Sequence, residues 1–194
     1  SCGMATLGEI EECLMNYRES KAEITLLHCV SNYPASPESV NLNAIKTLKT
    51  AFGLKVGLSD HTIGYTAAVM SVAYDVEVLE KHFTFDKAAD GPDHYASSEP
   101  FELEELVRQC KIAETMIGSN VKQVQEEEKN MKETSRKSFH FSMDLDLGTV
   151  VERKHLKLIR PNSGLALKEI GNILGMKVQK NVSTNDPVDY ACFK

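Results

Sequence analysis

Tryptophan is missing, which by itself decides nothing, but three other shortages narrow the field. No apolar stretch approaches the roughly 20 residues that a membrane-crossing helix needs, and nothing near the start reads as a secretory leader. Basic residues are not in excess: the formal charge is −6 at pH 7, whereas a nucleic-acid binder neutralises phosphates with clustered Lys and Arg. Cysteines number 5 at irregular spacings with no Cys-x-x-Cys, so neither a disulfide framework nor a thiolate metal knot is indicated. Reduced thiols in a cytoplasmic protein are the expectation. At 194 residues the chain holds one ordinary domain, or a larger piece with a small appendage.

Ser1-Cys2-Gly3-Met4 is not a natural start for a translated chain. It reads as the end of a strand running straight into a helix, with Thr6 and Glu9 in a Thr-x-x-Glu capping box. The expectation is a chain that begins in the middle of a fold.

Leu7, Ile10, Leu14 and Tyr17 form an inward helical stripe over about residues 6–17. Ala22 to Cys29 is a near-continuous apolar run of strand length, as in a sheet covered on both faces. Ser36 and Pro37 open a second predicted helix, with Val40, Ala44, Ile45, Leu48 and Phe52 as its stripe and Gly53 as its stop. The pattern then repeats. Residues 54–58 read as a strand, 65–74 as a helix, 76–80 as a strand and 101–117 as a helix closed by Gly118. Alternating strand and helix at short intervals is the mark of βα units on a parallel sheet. At Ser119 the character changes: residues 119–137 are polar, with the run Glu126-Glu127-Glu128-Lys129, and read as a linker. Residues 138–194 read as a small, mostly β module, with strands over 138–143 and 155–159, a turn at 146–149 and a short helix over 166–174. The expected domains are therefore 1–118 and 138–194.

His61 and His82 each close a short apolar run, with a helix-like segment between them. Both imidazoles are thus expected at the C-terminal ends of neighbouring parallel strands, the face on which βα-barrel enzymes carry their ligands. A neutral imidazole suits a divalent ion, with carboxylates and water completing the shell. Either histidine alone is more simply a hydrogen-bonded core residue; two at equivalent strand ends favour a metal. Asp60, Glu80 and Asp93 lie close enough in sequence to act as further ligands or to orient them, and Glu80 and Asp93 are the candidate catalytic carboxylates. Asp93 belongs to Gly91-Pro92-Asp93-His94, in a loop of about 15 residues, a length usually functional or disordered. Ser31 and Asn32 follow one predicted strand end, Ser59 closes the next, and Ser1 occupies an equivalent place. Any one of them is equally read as satisfying turn backbone; their repetition at successive strand ends favours an anionic ligand such as phosphate. Lys81 can also contact an anion, whereas Lys87 and Arg108 read as solvated charge. Arg160, before Pro161-Asn162-Ser163-Gly164, is placed to meet a carboxylate or hydroxyl bidentately, with an exposed surface arginine as the plain alternative. Cys29 reads as a buried thiol at a strand end.

These stretches resemble the sialic acid synthases of the NeuB type. The matching residues are Ser1-Cys2-Gly3-Met4-Ala5-Thr6, Leu27-His28-Cys29-Val30-Ser31-Asn32-Tyr33-Pro34, Gly57-Leu58-Ser59-Asp60-His61-Thr62-Ile63-Gly64, Glu80-Lys81-His82-Phe83-Thr84, Gly91-Pro92-Asp93-His94, Arg136-Lys137-Ser138 and Ile159-Arg160-Pro161. The resemblance implies the C-terminal half of a (β/α)8 barrel followed by a small antifreeze-like (SAF) domain. It also implies a domain-swapped homodimer in which each small module caps the partner's barrel. By the same resemblance His61 and His82 take Mn2+ or Mg2+, Ser1, Ser31 and Ser59 fall where phosphoenolpyruvate is held, Asp93 falls near the sugar, and Arg160 reaches the partner's substrate.

The implied reaction condenses phosphoenolpyruvate with N-acetylmannosamine or a related N-acetylated sugar, giving a nine-carbon sialic (nonulosonic) acid and phosphate. Pseudaminic or sugar-6-phosphate substrates are the nearest alternatives, and a non-catalytic carbohydrate-binding or dimerisation protein is the alternative of another class. The family's first half barrel has no counterpart in these residues, so the chain is expected to be inactive alone. Two departures stand out: Cys2 where Thr is usual, and Asn162 where Gly is usual. Asn tolerates left-handed backbone better than most residues, which is how the loop after Arg160 is expected to survive.

Overall fold

In the computed structural model, which describes residues 1–193, the chain divides into two compact units, Ser1–Asn120 and Val121–Lys194. The first is an α/β unit in the order α1 (Leu7–Met15), β1 (Thr25–Cys29), α2 (Asn43–Phe52), β2 (Lys55–Asp60), α3 (Thr66–Val72), β3 (Leu79–Lys81) and α4 (Pro100–Ile117). Its three strands pair in parallel in the order β1-β2-β3. This is the expected fold class.

Strand alternation sorts the side chains. Leu26, Val56 and Leu58 face the helices and form a core with Ile10, Val40, Leu42, Ile45 and Leu48. Burying a side chain of that size contributes roughly 1.5–3 kcal/mol, and this layer is what seats the helices on the sheet. The opposite face carries small or polar groups, among them Cys29, Gly57 and Ser59. Gly57 is required there, since a Cβ would lie 2.5 Å from both a Leu27 methyl and the Val78 carbonyl oxygen.

The capping box of α1 forms as expected, with Thr6 Oγ1 accepting from the Glu9 N–H and the Glu9 carboxylate accepting from the Thr6 N–H. The helix expected over residues 36–52 does not form in one piece. A 3-10 turn at Pro37–Ser39 is separated from α2 by Asn41, whose φ of 46° is incompatible with a continuing right-handed helix. His28 Nε2 donates to the Val40 carbonyl at 2.7 Å and so takes the acceptor that a helix would have used. Ser36 makes no side-chain cap. Gly53 ends α2 in the left-handed region, φ 62°.

The segment between β3 and α4 is ordered by its own polar groups. Thr84 Oγ1 donates to the Asp86 carbonyl and accepts from His94 Nδ1 at 2.7 Å. Glu99 accepts from the Lys87 N–H, and the Lys87 ammonium pairs with Glu102 in the first turn of α4. Lys87 is therefore an ordering contact rather than a free surface charge. Among the described residues Arg108 pairs along its own helix, with Glu105.

The second unit holds β4 (Ser138–Phe141) antiparallel to β5 (Leu156–Ile159), extended by single bridges such as Leu145 to Val182 and Val178 to Phe193. Its core is Phe139, Phe141, Leu145, Val151, Ile173, Val178, Val182, Val188 and Phe193. Within the stretch read as a linker, a 3-10 turn at Glu126–Glu128 leads into α5 (Lys129–Ser135). The short helix expected over 166–174 is a 3-10 turn, Leu167–Glu169, continuing into α6 (Ile170–Ile173). Among the described residues no helix is long and apolar enough to cross a membrane.

Two outcomes follow from these contacts. A Cβ on Gly164 would lie 2.2 Å from the Phe139 carbonyl oxygen and 3.0 Å from Val188 backbone atoms, which cannot swing aside. Gly164→Ala should destabilise the second unit by about 3 kcal/mol, read as a lowered urea midpoint at unchanged slope. The hydrogen bond from Lys87 holds the Glu102 carboxyl below its ordinary 4.5. A depressed carboxyl contributes stability that is present above its unfolded pKa and lost as pH falls through the folded value. Lys87→Met should therefore cost up to about 1 kcal/mol near neutrality, and the gap should close as pH falls below about 4.

Candidate functional site

Parallel register places Ser59 beside Glu80 and Asp60 beside Lys81. The next residue on each strand is His61 and His82, so the two imidazoles leave equivalent positions on neighbouring strands. Their ring centres are 5.2 Å apart and the planes meet at 74°. Two imidazoles sharing one ion at bond lengths of about 2.0–2.1 Å hold their ring centres about 5 Å apart, so this separation suits joint ligation.

The hydrogen bonds around His61 bear on whether it can serve as a ligand. Its Nδ1 lies 2.8 Å from the Val30 carbonyl oxygen, which only accepts, so the proton sits on Nδ1. Nε2 lies 3.2 Å from Ser59 Oγ, but that hydroxyl has one proton and donates it to the Glu80 carboxylate at 2.7 Å. The shorter, charge-assisted bond takes the proton. Cys29 Sγ is nearly equidistant from the two ring nitrogens, 3.7 and 3.8 Å, and so rests against the ring instead of along a lone pair. The Nε2 lone pair of His61 is thus left for a cation, with Nδ1 tied to a carbonyl as metal-ligating histidines commonly are. His82 is half-buried, and its imidazole nitrogens meet no hydrogen-bonding partner among the described residues. The donor set fits a divalent ion, with a limit: among the described residues no three His, Cys, Asp or Glu side chains converge closely enough to hold one by themselves.

Tyr33 is the residue that spacing did not reveal. Its ring stacks on His61 at 4.1 Å and lies 4.8 Å from His82, covering both. Partial desolvation raises its phenol above the ordinary value, reinforced by the charges of Cys29, Asp93 and Glu80. That electrostatic coupling puts Asp93 and Glu80 in the same neighbourhood. The available signal was an aromatic residue four positions beyond Cys29, the end of β1, in a Pro-containing turn.

The remaining candidates fall as follows. Ser59 is buried, while Glu80 and Asp93 are exposed. Ser1, Ser31 and Asn32 are exposed as well. The Ser1–Gly3 stretch runs alongside β1, with the Cys2 N–H donating to the Leu27 carbonyl at 2.8 Å. Ser31 sits directly over Gly3, where a Cβ would lie 2.2 Å from Ser31 Oγ. Asn32 donates its side-chain amide to the Pro34 carbonyl at 2.8 Å, a turn-satisfying contact that leaves its Oδ1 available. Asp60 is not among the groups beside the histidines. It points to the helical side of the sheet and is bound by Lys81, because alternate residues of a strand face opposite ways. Lys81 is buried in that pair, on the face away from the histidines. His94 is engaged by Thr84 and takes no part in the histidine pair.

Arg160 lies in the second unit, exposed, on the turn after β5. The turn is held from below. Ser138 Oγ donates to the Pro161 carbonyl at 2.7 Å and accepts from the Gly164 N–H at 2.9 Å, and His140 Nε2 contacts Ser163 Oγ at 3.1 Å. Asn162 does not use the left-handed region anticipated for it; its N–H instead donates to the Glu133 carbonyl at 2.9 Å.

Comparison with known proteins bears on the same residues. The NeuB family model matches residues 1–122, and the SAF domain model matches residues 136–194. The N,N'-diacetyllegionaminic acid synthase of Legionella pneumophila is 40% identical over 188 residues, covering 94% of this chain and 53% of that protein. Among solved structures, the N-acetylneuraminic acid synthetase of Leptospira borgpetersenii is 36% identical over 66% of this chain and 45% of its own, with a TM-score of 0.60. The spore coat polysaccharide biosynthesis protein E of Chromobacterium violaceum superposes on 99% of this chain and 59% of its own, with a TM-score of 0.71; at 21% identity that likeness speaks for the fold alone. The chain spans about half the length of the curated relatives it matches. With the paired histidines on adjacent βα turns and the antifreeze-like second unit both in place, the chain belongs to the NeuB family, the sialic acid synthases.

Proposed function

We propose that these residues supply one side of the active site of a nonulosonic acid synthase. The enzyme would join carbon 3 of phosphoenolpyruvate to the aldehyde carbon of an N-acetylated sugar. The observation that carries this reading is the His61–His82 pair at 5.2 Å, with the Nε2 lone pair of His61 left over by its surroundings.

His61 and His82 would hold Mn2+ or Mg2+, and when bound such an ion supplies Lewis acidity at a carbonyl oxygen. The chain's own groups do the rest. Ser1, Ser31 and Asn32 are short polar side chains suited to hold a phosphate by positioned donors, and Ser59 joins them once Glu80, by taking up a proton, leaves the hydroxyl proton to Ser59. Glu80, already accepting from Ser59, can take a proton through that hydroxyl. Asp93 is exposed and near Tyr33, placed to orient a sugar hydroxyl or the attacking water. As carbon 3 bonds to the aldehyde carbon, water adds at carbon 2 and gives one proton to the aldehyde oxygen, which becomes a hydroxyl; the carbon–oxygen bond to phosphate then breaks, its electron pair and the water's second proton leave with phosphate, and carbon 2 becomes a ketone. Tyr33 shields the two imidazoles from bulk water. Arg160, on a turn pinned by Ser138 and Glu133, is suited to meet the substrate of a second protomer in a domain-swapped dimer.

In the full-length protein, phosphate release from phosphoenolpyruvate with Mn2+ and a panel of N-acetylated hexoses tests this reading and names the sugar. No release with any member would remove it. His61→Ala should abolish Mn2+ binding by calorimetry and lower turnover at least about 100-fold, since a ligand matters no less than the groups that orient it. Unchanged turnover would remove the metal assignment.

Residues 1–194 assayed alone should give no condensation, because three strands line only part of a ring-shaped site. Manganese-dependent product from that polypeptide would show otherwise.

A further inference from the structure

We propose that Asp60, Thr62 and Lys81 form a buried clamp that sets the separation and ring orientation of His61 and His82. This positioning role rests on the metal-site reading above. The clamp lies on the helical side of the sheet, opposite the imidazoles. Lys81 Nζ pairs with Asp60 Oδ2 at 2.9 Å, and the two side chains are only 5% and 2% exposed. Lys81 Nζ also donates to the Thr62 carbonyl. Asp60 Oδ1 in turn accepts from the Thr62 N–H at 2.9 Å and from Thr62 Oγ1 at 2.8 Å. The ammonium thus grips both residues that flank His61, and Lys81 is itself the residue before His82. Movement of either histidine's backbone relative to the other must break at least one of these bonds.

The pair's surroundings argue against a purely stabilising part. Lys81 lines a cleft shared by apolar Ala68, Val72 and Leu106 and charged Glu77, Lys111 and Glu114. A buried ion pair in such a place is generally no more stabilising than apolar residues of equal volume. What it adds is direction: one carboxylate oxygen and one carbonyl fix the ammonium between the strands, while the second carboxylate oxygen holds Thr62. On the other face Ser59 and Glu80 repeat the link one residue earlier, so the register is held from both sides.

The test uses Asp60→Leu combined with Lys81→Met in the full-length protein, which keeps side-chain branching and removes the polar geometry. Two readouts are taken: long-range proton–nitrogen correlation spectra of the histidine rings in metal-free protein, and calorimetric titration with Mn2+. The double variant should melt at or above the temperature of the parent. Its His61 ring should lose the signature of a single Nδ1–H tautomer, and its Mn2+ affinity should fall about 10- to 100-fold. Lys81→Arg, which keeps the charge and can still reach Asp60, should restore part of both. Thr62→Val leaves the ion pair in place and should shift the His61 signals in the same direction by less; it decides the matter should the double variant not fold. A folded double variant, or in its absence Thr62→Val, with ring spectra identical to the parent would overturn the clamp. A parent chain that takes up no Mn2+ while its ring spectra still respond to these substitutions would remove the metal reading and leave the clamp standing.

Discussion

The parallel pairing of β2 with β3, Ser59 beside Glu80 and Asp60 beside Lys81, is the constraint on which the rest depends. A strand slipped by one residue turns every side chain to the other face. Here such a slip would aim the histidines into the helical layer and put the Asp60 carboxylate where the imidazoles stand. Hydrophobic patterning alone resists this weakly in so short a strand, since β3 is only Leu79–Lys81. Polar links on both faces make the register specific where burial does not.

From that register follows the chemistry of the pair. Every buried side-chain nitrogen and oxygen among the described residues has a partner. Partnership is not the same as a full complement of protons, however. Around His61 the protons of Nδ1 and of Ser59 Oγ meet two fixed acceptors, the Val30 carbonyl and the Glu80 carboxylate. Both protons go to those acceptors, and Nε2 is what remains. A site for a cation can thus be prepared by ordinary hydrogen bonding, without a dense acidic cluster that would repel itself in the absence of the ion. Tyr33 completes the arrangement by covering two neutral rings with a third.

Much of this was legible in the residues. Strand and helix alternation gave the order of elements because apolar runs of strand length and helical stripes are local signals, and the two histidines marked equivalent strand ends. The failures are equally physical. The helix over 36–52 was overestimated because its break comes from a long-range bond, His28 to the Val40 carbonyl, together with a left-handed Asn41. Asp60 was read as a further ligand or as a group that orients one, and only the ligand reading fails, because adjacent strand residues face opposite ways. Tyr33 escaped because a ring in a turn declares itself only once the strand ends beside it are assembled. The order of the loop around Lys87 and His94 likewise rests on partners ten or more residues away.

The same design logic recurs in the second unit. In both units the candidate group sits on a turn just past a strand, the part of a scaffold that can present function. And in both, the turn is fastened from beneath by buried polar residues of the strand next door: Lys81 grips the residues flanking His61, while Ser138 and His140 grip those following Arg160. Apolar packing cannot do this work. It is non-directional, so it holds a layer together but leaves a turn free to rock by an ångström. A hydrogen bond from a buried, rotamer-locked side chain fixes both distance and angle. The polar residues buried in these small cores are therefore where orientation is set, and the Phe, Leu and Val around them are where stability comes from.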